Sequence, residues 1–391
     1  MLSAWDYLQR LCRHPHRGSA TAEEAAVAAE MMEWLGDLGY QCESQPFRTP
    51  RDTLYLGPGM VMLGLVAGAA VGWLWQPWVG ILIQLLFLVP MIGELRGSSR
   101  IDLDWLLPRY SSQNVLARKP ARPATPAAQT LVISGHYDTQ RASLLFHPRV
   151  VPMIKPYFML VYANLVLVPV ALLLLWLSHR SGWSSVLLVV LCGLMACHLL
   201  FLIICWLTGR YINGANDNGT GAALVLALAE YFAREGLPGT DLVFLLTGAE
   251  EVGTRGMKAF MRRADFDRAT TRFINLDNLG GGALHYLTGE GMLGYKPYGA
   301  HLLSVAAEMK RVFPGEVHDK QNLLLPTDGL IPALCGYQAI TFLAFLPDGR
   351  LPNYHWYSDT PEQVDRRLLA FTERFLVHYV QRIAGGVTSR E

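Results

Sequence analysis

The sequence predicts an α/β domain built on a mixed, largely parallel β-sheet covered by helices on both faces, with two transmembrane helical hairpins inserted into it. Three observations carry this expectation. Short apolar runs alternate with helical patterns, as they do around a mainly parallel sheet. Two long blocks are almost free of charge, and each has the length of two membrane-spanning helices of roughly 20 residues. Polar residues suited to metal binding stand at the ends of separate apolar runs, where sites in α/β sheets gather. The chain has 391 residues, 51% of them hydrophobic, and a formal net charge of +1; its mean hydropathy is +0.23. The near-neutral charge argues against a nucleic-acid partner or a polybasic lipid patch. Six cysteines occur without a Cys-x-x-Cys pair, which argues against a thiolate zinc site and a disulfide framework.

Residues 1–52 read as the N-terminal part of the α/β domain. Thr21-x-x-Glu24 is a capping box, opening a helix over Ala25 to Leu38 that Gly39 ends. Gln41 to Phe47 is a short strand. Asp6, Arg10, Arg13 and Glu23 interrupt any apolar core of a signal peptide. Residues 53–93 form the first hairpin: no charge lies between Asp52 and Glu94, and the turn at Trp75-Gln-Pro-Trp78 puts aromatics at the interface. Residues 94–155 return to the domain, with Gln113–Leu116, a Pro/Ala loop at Pro120–Ala128, and the buried strand Leu131-Val-Ile-Ser-Gly-His136-Tyr-Asp138. Residues 156–209 form the second hairpin, split at His179-Arg180. Within the spans, Gln84, Asn164 and His198 suit helix–helix contacts rather than transport, because no ionic side chain accompanies them.

Residues 210–391 complete the domain. The turn-rich Asn213–Gly221 opens an Ala/Leu helix from Ala222 to Ala233, and Asp241–Leu246 is a buried strand leading into Thr247-Gly-Ala-Glu-Glu251. A short helix follows near Thr254–Arg263. The strand Arg272–Asp277, a strand at His285–Leu287, a helix over Tyr298–Val312 and the strand Gln338–Phe345 come next. Thr360-Pro-Glu-Gln363 is a capping box that starts a helix running to about Ile383. Two hairpins leave segments 1–52, 94–155 and 210–391 on one face of a membrane, so one domain can be assembled from all three. Arg51, Arg96, Arg100, Arg149, Lys155 and Arg210 flank the spans on that face, against Arg180 at the tips. The positive-inside rule then predicts an integral plasma- or inner-membrane protein of four helices with the domain cytoplasmic and the lipid bilayer as its partner.

Glu250 and Glu251 follow a buried strand, where an unpaired charge costs several kcal/mol. Neighbours on a strand or tight turn point in different directions, so one suits metal binding and the other proton transfer; an exposed acidic pair capping the next helix is the alternative. His136 and Asp138, Asp277, Asp217 in its glycine-rich loop, and His355 in Asn353-Tyr-His-Trp-Tyr-Ser-Asp359 add two imidazoles and further carboxylates. Nitrogen and oxygen donors without thiolate suit zinc or a similar divalent ion at an open, catalytic site. The step from His136 to Asp138 puts both on one strand face, so the aspartate can orient the imidazole.

In this order, His-x-Asp, Asn-Asp-Asn-Gly, Gly-Ala-Glu-Glu, Leu-Asp and Tyr-His-x-x-x-Asp-Thr resemble the co-catalytic zinc aminopeptidase family, which includes leucyl aminopeptidase, aminopeptidase Y, glutamate carboxypeptidase and the mono-zinc glutaminyl cyclases. His16-Arg-Gly-Ser and Trp34-Leu-Gly-Asp-Leu-Gly-Tyr are similar too. The resemblance implies a zinc-exopeptidase fold holding two divalent metal ions, zinc by family habit. Asp217 would bridge them, His136 and Asp277 would complete one site, and Glu251 and His355 the other. Glu250 would be the general base acting on the metal-bridging water; Asp138 would support His136, and Asp359 His355. The Asp217–Asn218 peptide would be cis. The implied reaction is release of the first residue from a peptide with a free N-terminus. Acyl transfer of the glutaminyl-cyclase type at one zinc, a non-catalytic membrane scaffold and a transporter are the alternatives. The sequence departs from the family pattern in having Thr327-Asp328-Gly329 and Gly336-Tyr-Gln-Ala339 where Ser-Asp-His and Gly-Ile-Pro-Ala are usual, and in the hairpin between Asp138 and Asp217.

Overall fold

A computed structural model of the chain describes residues 1–96, 106–119, 128–291, 294–323 and 326–385. Arg100 and most of the Pro120–Ala128 loop lie outside the described residues. The contacts divide the chain into two units. One comprises Met1–Arg51, Arg109–Ala142 and Tyr211–Glu391; the other comprises Asp52–Pro108 and Ser143–Arg210.

The first unit is organised by a nine-stranded mixed sheet. Its strands are β1 (Gln41–Pro50), β2 (Arg109–Lys119), β3 (Gln129–His136), β4 (Thr240–Thr247), β5 (Thr271–Leu276), β6 (Ala283–Glu290), β7 (Lys296–Pro297), β8 (Val317–Asn322) and β9 (Gln338–Phe345). The spatial order is β1-β2-β4-β3-β5-β9-β6-β7, with β8 paired to β6. The centre, β4-β3-β5-β9, is parallel throughout, and antiparallel strands flank it at β2 and β6. Runs such as Leu131-Val-Ile133 and Leu242–Leu246 are buried on both faces, as central parallel strands must be. Helices cover them: α1 (Ala4–Leu11), α2 (Ala22–Asp37), α7 (Gly221–Glu235), α8 (Arg255–Arg263), α9 (Ala300–Val312), α10 (Leu330–Leu334) and α11 (Arg366–Gly385). One apolar cluster unites α1, α2, α7, α9 and α11 with one side of the sheet. A second, around Leu116, Val132, Phe260 and Phe273, fills the other side under α8 and α10.

Parallel pairing in register brings the strand ends together: His136 pairs with Thr247 across β3 and β4, and Asp277 follows β5 directly. Gly221 lets α7 begin against this edge. A Cβ there would lie 2.3 Å from the Leu276 carbonyl oxygen and 2.3 Å from Asn218 Oδ1, so any larger residue would push the Asp217 loop off the sheet.

The C-terminal helix starts later than its capping box predicts. Pro361–Gln363 forms only a 3₁₀ turn without a side-chain cap, and α11 begins at Arg366. Asp365 provides the cap, its Oδ1 accepting from the Arg367 and Leu368 N–H groups at 2.8 and 3.2 Å. The other capping box is half made. Thr21 accepts from the Glu24 N–H, while the Glu24 carboxylate bonds elsewhere, as described below. The sequence reading did not anticipate α1, α10, β7 or β8, which span only 8, 5, 2 and 6 residues, too short for a clear periodic pattern.

The second unit contains α3 (Thr53–Leu74), α4 (Pro77–Leu95), α5 (Ile154–Leu177) and α6 (Gly182–Thr208). Three stretches, Tyr55–Leu74, Val151–Leu177 and Gly182–Thr208, are long and apolar enough to cross a membrane, and Pro77–Gly93 is a shorter apolar helix. Large apolar side chains stand exposed on all four, among them Leu63, Leu86, Val166 and Val186, more than a water-facing surface tolerates. Gln84 and Asn164 serve interhelical contact: Gln84 Nε2 donates to Leu65 O at 2.9 Å, and Asn164 Nδ2 to Leu191 O at 3.4 Å.

Candidate metal centre

The carboxyl edge of the parallel strands carries the charged cluster. His136 ends β3, Glu250 and Glu251 follow β4, and Asp277 follows β5. Asp217 sits in the buried turn Ala215–Thr220, with a cis peptide to Asn218. His355 arrives from the loop after β9 with a left-handed backbone, φ 49°. Two triads result, His136–Asp217–Asp277 and Asp217–Glu251–His355, each with one donor atom per residue lying within 4.8 Å of the other two. Asp217 is common to both. His136 Nε2 is 3.4 Å from Asp217 Oδ1 and 3.7 Å from Asp277 Oδ1. His355 Nε2 is 3.1 Å from Asp217 Oδ2 and 3.0 Å from Glu251 Oε2.

Glu250 stands apart from the triads. Its Oε2 is 3.9 Å from His136 Nε2, and its side chain keeps 12% exposure, more than any of the five triad residues. The turn that carries both glutamates opens at Ala249, held at φ 51°, a conformation that costs a non-glycine residue roughly 1 kcal/mol. Asp138 braces this turn. Its Oδ1 accepts the Glu250 N–H at 2.9 Å and its Oδ2 the Glu251 N–H at 3.2 Å, with Ser19 Oγ donating to Oδ2 at 2.6 Å. Asp138 Oδ1 also lies 3.5 Å from His136 Nδ1, whose nearer partner is the Asp138 carbonyl at 3.2 Å. Asp359, expected behind His355, gives its oxygens to the Asp217 loop, accepting from Asn216 N–H at 2.6 Å and Asp217 N–H at 3.0 Å.

The electrostatics are those of a site that wants cations. Burial pushes Glu250 well above the ordinary carboxylate range and Glu251 up to about 7. Burial also raises Asp217, but hydrogen bonds from His136 and His355 outweigh it and hold this acid low. Burial would lower His355, yet Glu251 and Asp217 drive it up to about 10. Four acids and two imidazoles can share such a space only by holding protons between them, and divalent cations can replace those protons. Glu251 Oε1 is buried without a hydrogen-bond partner among the described residues, which leaves lone pairs for a cation. The donor set, carboxylate and imidazole with no sulfur, fits zinc.

Asn278 and Gln140 escaped the sequence reading. Asn278 Nδ2 donates to Asp217 Oδ1 at 3.0 Å and to Asp277 Oδ1 at 2.8 Å, tying two ligand candidates together; its place directly after Asp277 was the only signal. Gln140 Nε2 donates to Glu251 O at 2.9 Å. Asp328 is fully buried, accepts from Thr247 Oγ1 at 2.5 Å, and is pushed up to about 7 by burial. Tyr354 stacks on His355, with ring centroids 3.8 Å apart.

This fold and cluster define a class, the mixed α/β domain of zinc-exopeptidase-like fold. An aminopeptidase from Aneurinibacillus sp. strain AM-1 superposes with a TM-score of 0.58 at 15% identity, covering 97% of this chain and 93% of that one. A Porphyromonas gingivalis glutaminyl cyclase gives 0.58 at 14%, covering 97% of each. BSAP, a zinc aminopeptidase from Bacillus subtilis, gives 0.57 at 12%, covering 97% and 94%. Residues 194–380 match the family model of peptidase family M28. Two curated relatives named vacuolar membrane protease share short stretches with it, 39% identity over 69 residues in Schizosaccharomyces pombe and 41% over 69 in Schizosaccharomyces japonicus. Each stretch is 18% of this chain and 8% of the relative's length.

Proposed function

We propose that this protein is a membrane-bound di-zinc aminopeptidase. The observation that carries the reading is the pair of triads sharing Asp217, with Glu250 outside both and more exposed than any of their members. His136, Asp217 and Asp277 would hold one ion, and Asp217, Glu251 and His355 the other. When bound, such ions polarise the scissile carbonyl and acidify water. Glu250 takes a proton from the attacking water as its oxygen bonds to the carbonyl carbon, then returns it to the departing amine nitrogen as the C–N bond breaks. Asp138 aims Glu250 and Glu251 through their N–H groups. Asp359 holds the Asp217 loop and Asn278 the Asp217 carboxylate, so the carboxylate common to the two triads would need no rearrangement during the reaction.

The domain would be assembled from residues 1–52, 94–155 and 210–391 around hairpins 53–93 and 156–209. Flanking arginines and lysine argue for a cytoplasmic domain at a plasma or inner membrane. Glutaminyl-cyclase-type acyl transfer is the second reading, since such an enzyme shares the fold; two complete triads favour the two-metal hydrolase.

The test is a panel of chromogenic aminoacyl anilides, with and without chelator, alongside metal analysis of the purified full chain. Two zinc ions per chain, with hydrolysis lost to chelator and restored by zinc, are expected. One tightly held zinc, with cyclisation of N-terminal glutamine and no anilide hydrolysis, would transfer the assignment to the second reading. A reporter fused at the C-terminus should read out as cytoplasmic.

A further inference from the structure

We infer that the segment Arg17–Glu24 is a strap that sets the relative positions of the three loops bearing the metal-binding and proton-transferring side chains, with Arg17 and Glu24 as positioning residues; the inference rests on the hydrolytic reading above. Arg17 is completely buried, and its whole guanidinium fork is directed at backbone carbonyls. Nε donates to Tyr137 O at 2.6 Å, Nη1 to Asn213 O at 2.8 Å and Nη2 to Gly214 O at 2.8 Å. Tyr137 lies between His136 and Asp138, and Asn213–Gly214 lead into Asp217. One rigid planar group thus joins the loop after β3 to the loop that supplies the shared carboxylate. The backbone doubles the link. Thr139 N–H donates to Arg17 O at 3.2 Å, and Arg17 N–H donates to Thr139 Oγ1 at 3.0 Å.

Glu24 does the same for the third loop. It too is fully buried. Oε1 accepts from Ser112 Oγ at 2.9 Å and from the Ala249 N–H at 3.1 Å, and Oε2 accepts from the Ala20 N–H at 2.9 Å. Ala249 is the left-handed residue at which the turn bearing Glu250 and Glu251 opens. Between Arg17 and Glu24, Ser19 anchors Asp138, which grips the next two N–H groups of that turn. A buried guanidinium and a buried carboxyl group are expensive when apolar side chains would fill the same volume. Packing alone does not require them; holding otherwise unsupported loop backbone does.

The full-length protein, purified in detergent, tests this with R17K, E24Q and S19A, and with Y40F as control. Y40F removes a buried hydrogen bond to Ala229 O, within the same unit and outside the site. The readouts are zinc retained against graded dipicolinate, the d–d absorption of the cobalt-substituted chain, Tm, and kcat and KM on an aminoacyl anilide. Lysine cannot reach carbonyls on both loops, so R17K should hold zinc about tenfold or more less tightly, the scale of a lost ligand-orienting contact. E24Q should keep its zinc and KM, show an altered cobalt spectrum, and lose about 10- to 100-fold in kcat, the scale of a small misplacement of a reacting group. Y40F should lower Tm only. The strap is refuted if R17K and E24Q behave as Y40F does, with wild-type zinc affinity, cobalt spectrum and kcat. Should either fail to fold, S19A decides: an altered cobalt spectrum with about tenfold lower kcat at unchanged Tm supports the strap, and wild-type values overturn it. If the wild-type chain hydrolyses no anilide, the hydrolytic reading falls, and zinc retention with the cobalt spectra alone decides the strap.

Discussion

Glu250→Gln is the sharpest probe of the catalytic reading, because the structure separates this residue from the metal cluster by position and exposure. The substitution keeps volume and shape and removes one ionisable oxygen. Glu250 Oε2 is 3.9 Å from His136 Nε2, beyond hydrogen-bond reach, so no hydrogen bond between the two is broken. The main-chain grip of Asp138 on residue 250 is through the N–H and survives. Burial already opposes the charged form of Glu250, so a neutral amide should fold at least as well. The metals should stay, because neither triad includes residue 250. What goes is proton transfer to and from the attacking water, a contribution of about 100- to 10,000-fold, or about 2.7 to 5.4 kcal/mol of transition-state stabilisation. The assay is kcat on the best chromogenic aminoacyl anilide, with metal content and Tm measured on the same preparation. A kcat within threefold of wild type at full metal occupancy would refute the role. Loss of one metal would move Glu250 into the ligand set instead.

Further tests reach other parts of the molecule. Asn278→Ala removes the amide that donates to both Asp217 and Asp277, and zinc affinity measured by chelator competition should fall about 10- to 100-fold. Glu290 is completely buried and burial pushes it up to about 7, while Thr327 donates to both its oxygens at 2.9 Å. With its folded pKa raised, ionisation opposes the fold: the destabilisation is absent below about pH 4.5 and grows as pH rises toward about 7. Glu290→Gln, whose amide can still serve both Thr327 groups, should therefore flatten the decline of Tm between pH 5 and 8.5; an unchanged slope would show that Glu290 does not set it. A Cβ on Gly80 would lie 2.3 Å from Gly68 O, so Gly80→Val should separate α3 from α4 and reduce the yield of folded protein in detergent, as read by size-exclusion profile and Tm.

Much of the site was legible because its chemistry is local to strand ends. A glutamate pair after Leu242–Leu246, an aspartate after Phe273–Leu276 and a histidine closing Leu131–Gly135 each announce a polar group at the edge of a buried strand. Each such signal needs only a few neighbouring residues. The supports were not legible in this way. Nothing near Arg17 says that its partners are Tyr137, Asn213 and Gly214, since hydrogen bonds to backbone carbonyls leave no mark on the partner's side chain. Glu24 read as a helix cap because Thr21 stands three residues before it, and only the fold shows Ala249 within its reach.

The division between the two levels has a physical basis. Apolar periodicity, charge-free length and side-chain donor type are properties of a stretch of chain, so the class of sheet, the long apolar helices and the metal-loving residues could be read without coordinates. Register, the left-handed turn at Ala249, the reassignment of Asp359 and the bracing of three loops by a buried arginine and a buried glutamate depend on contacts between segments more than a hundred residues apart. Those contacts exist only once the parallel strands have aligned His136 with Thr247 and drawn their ends together.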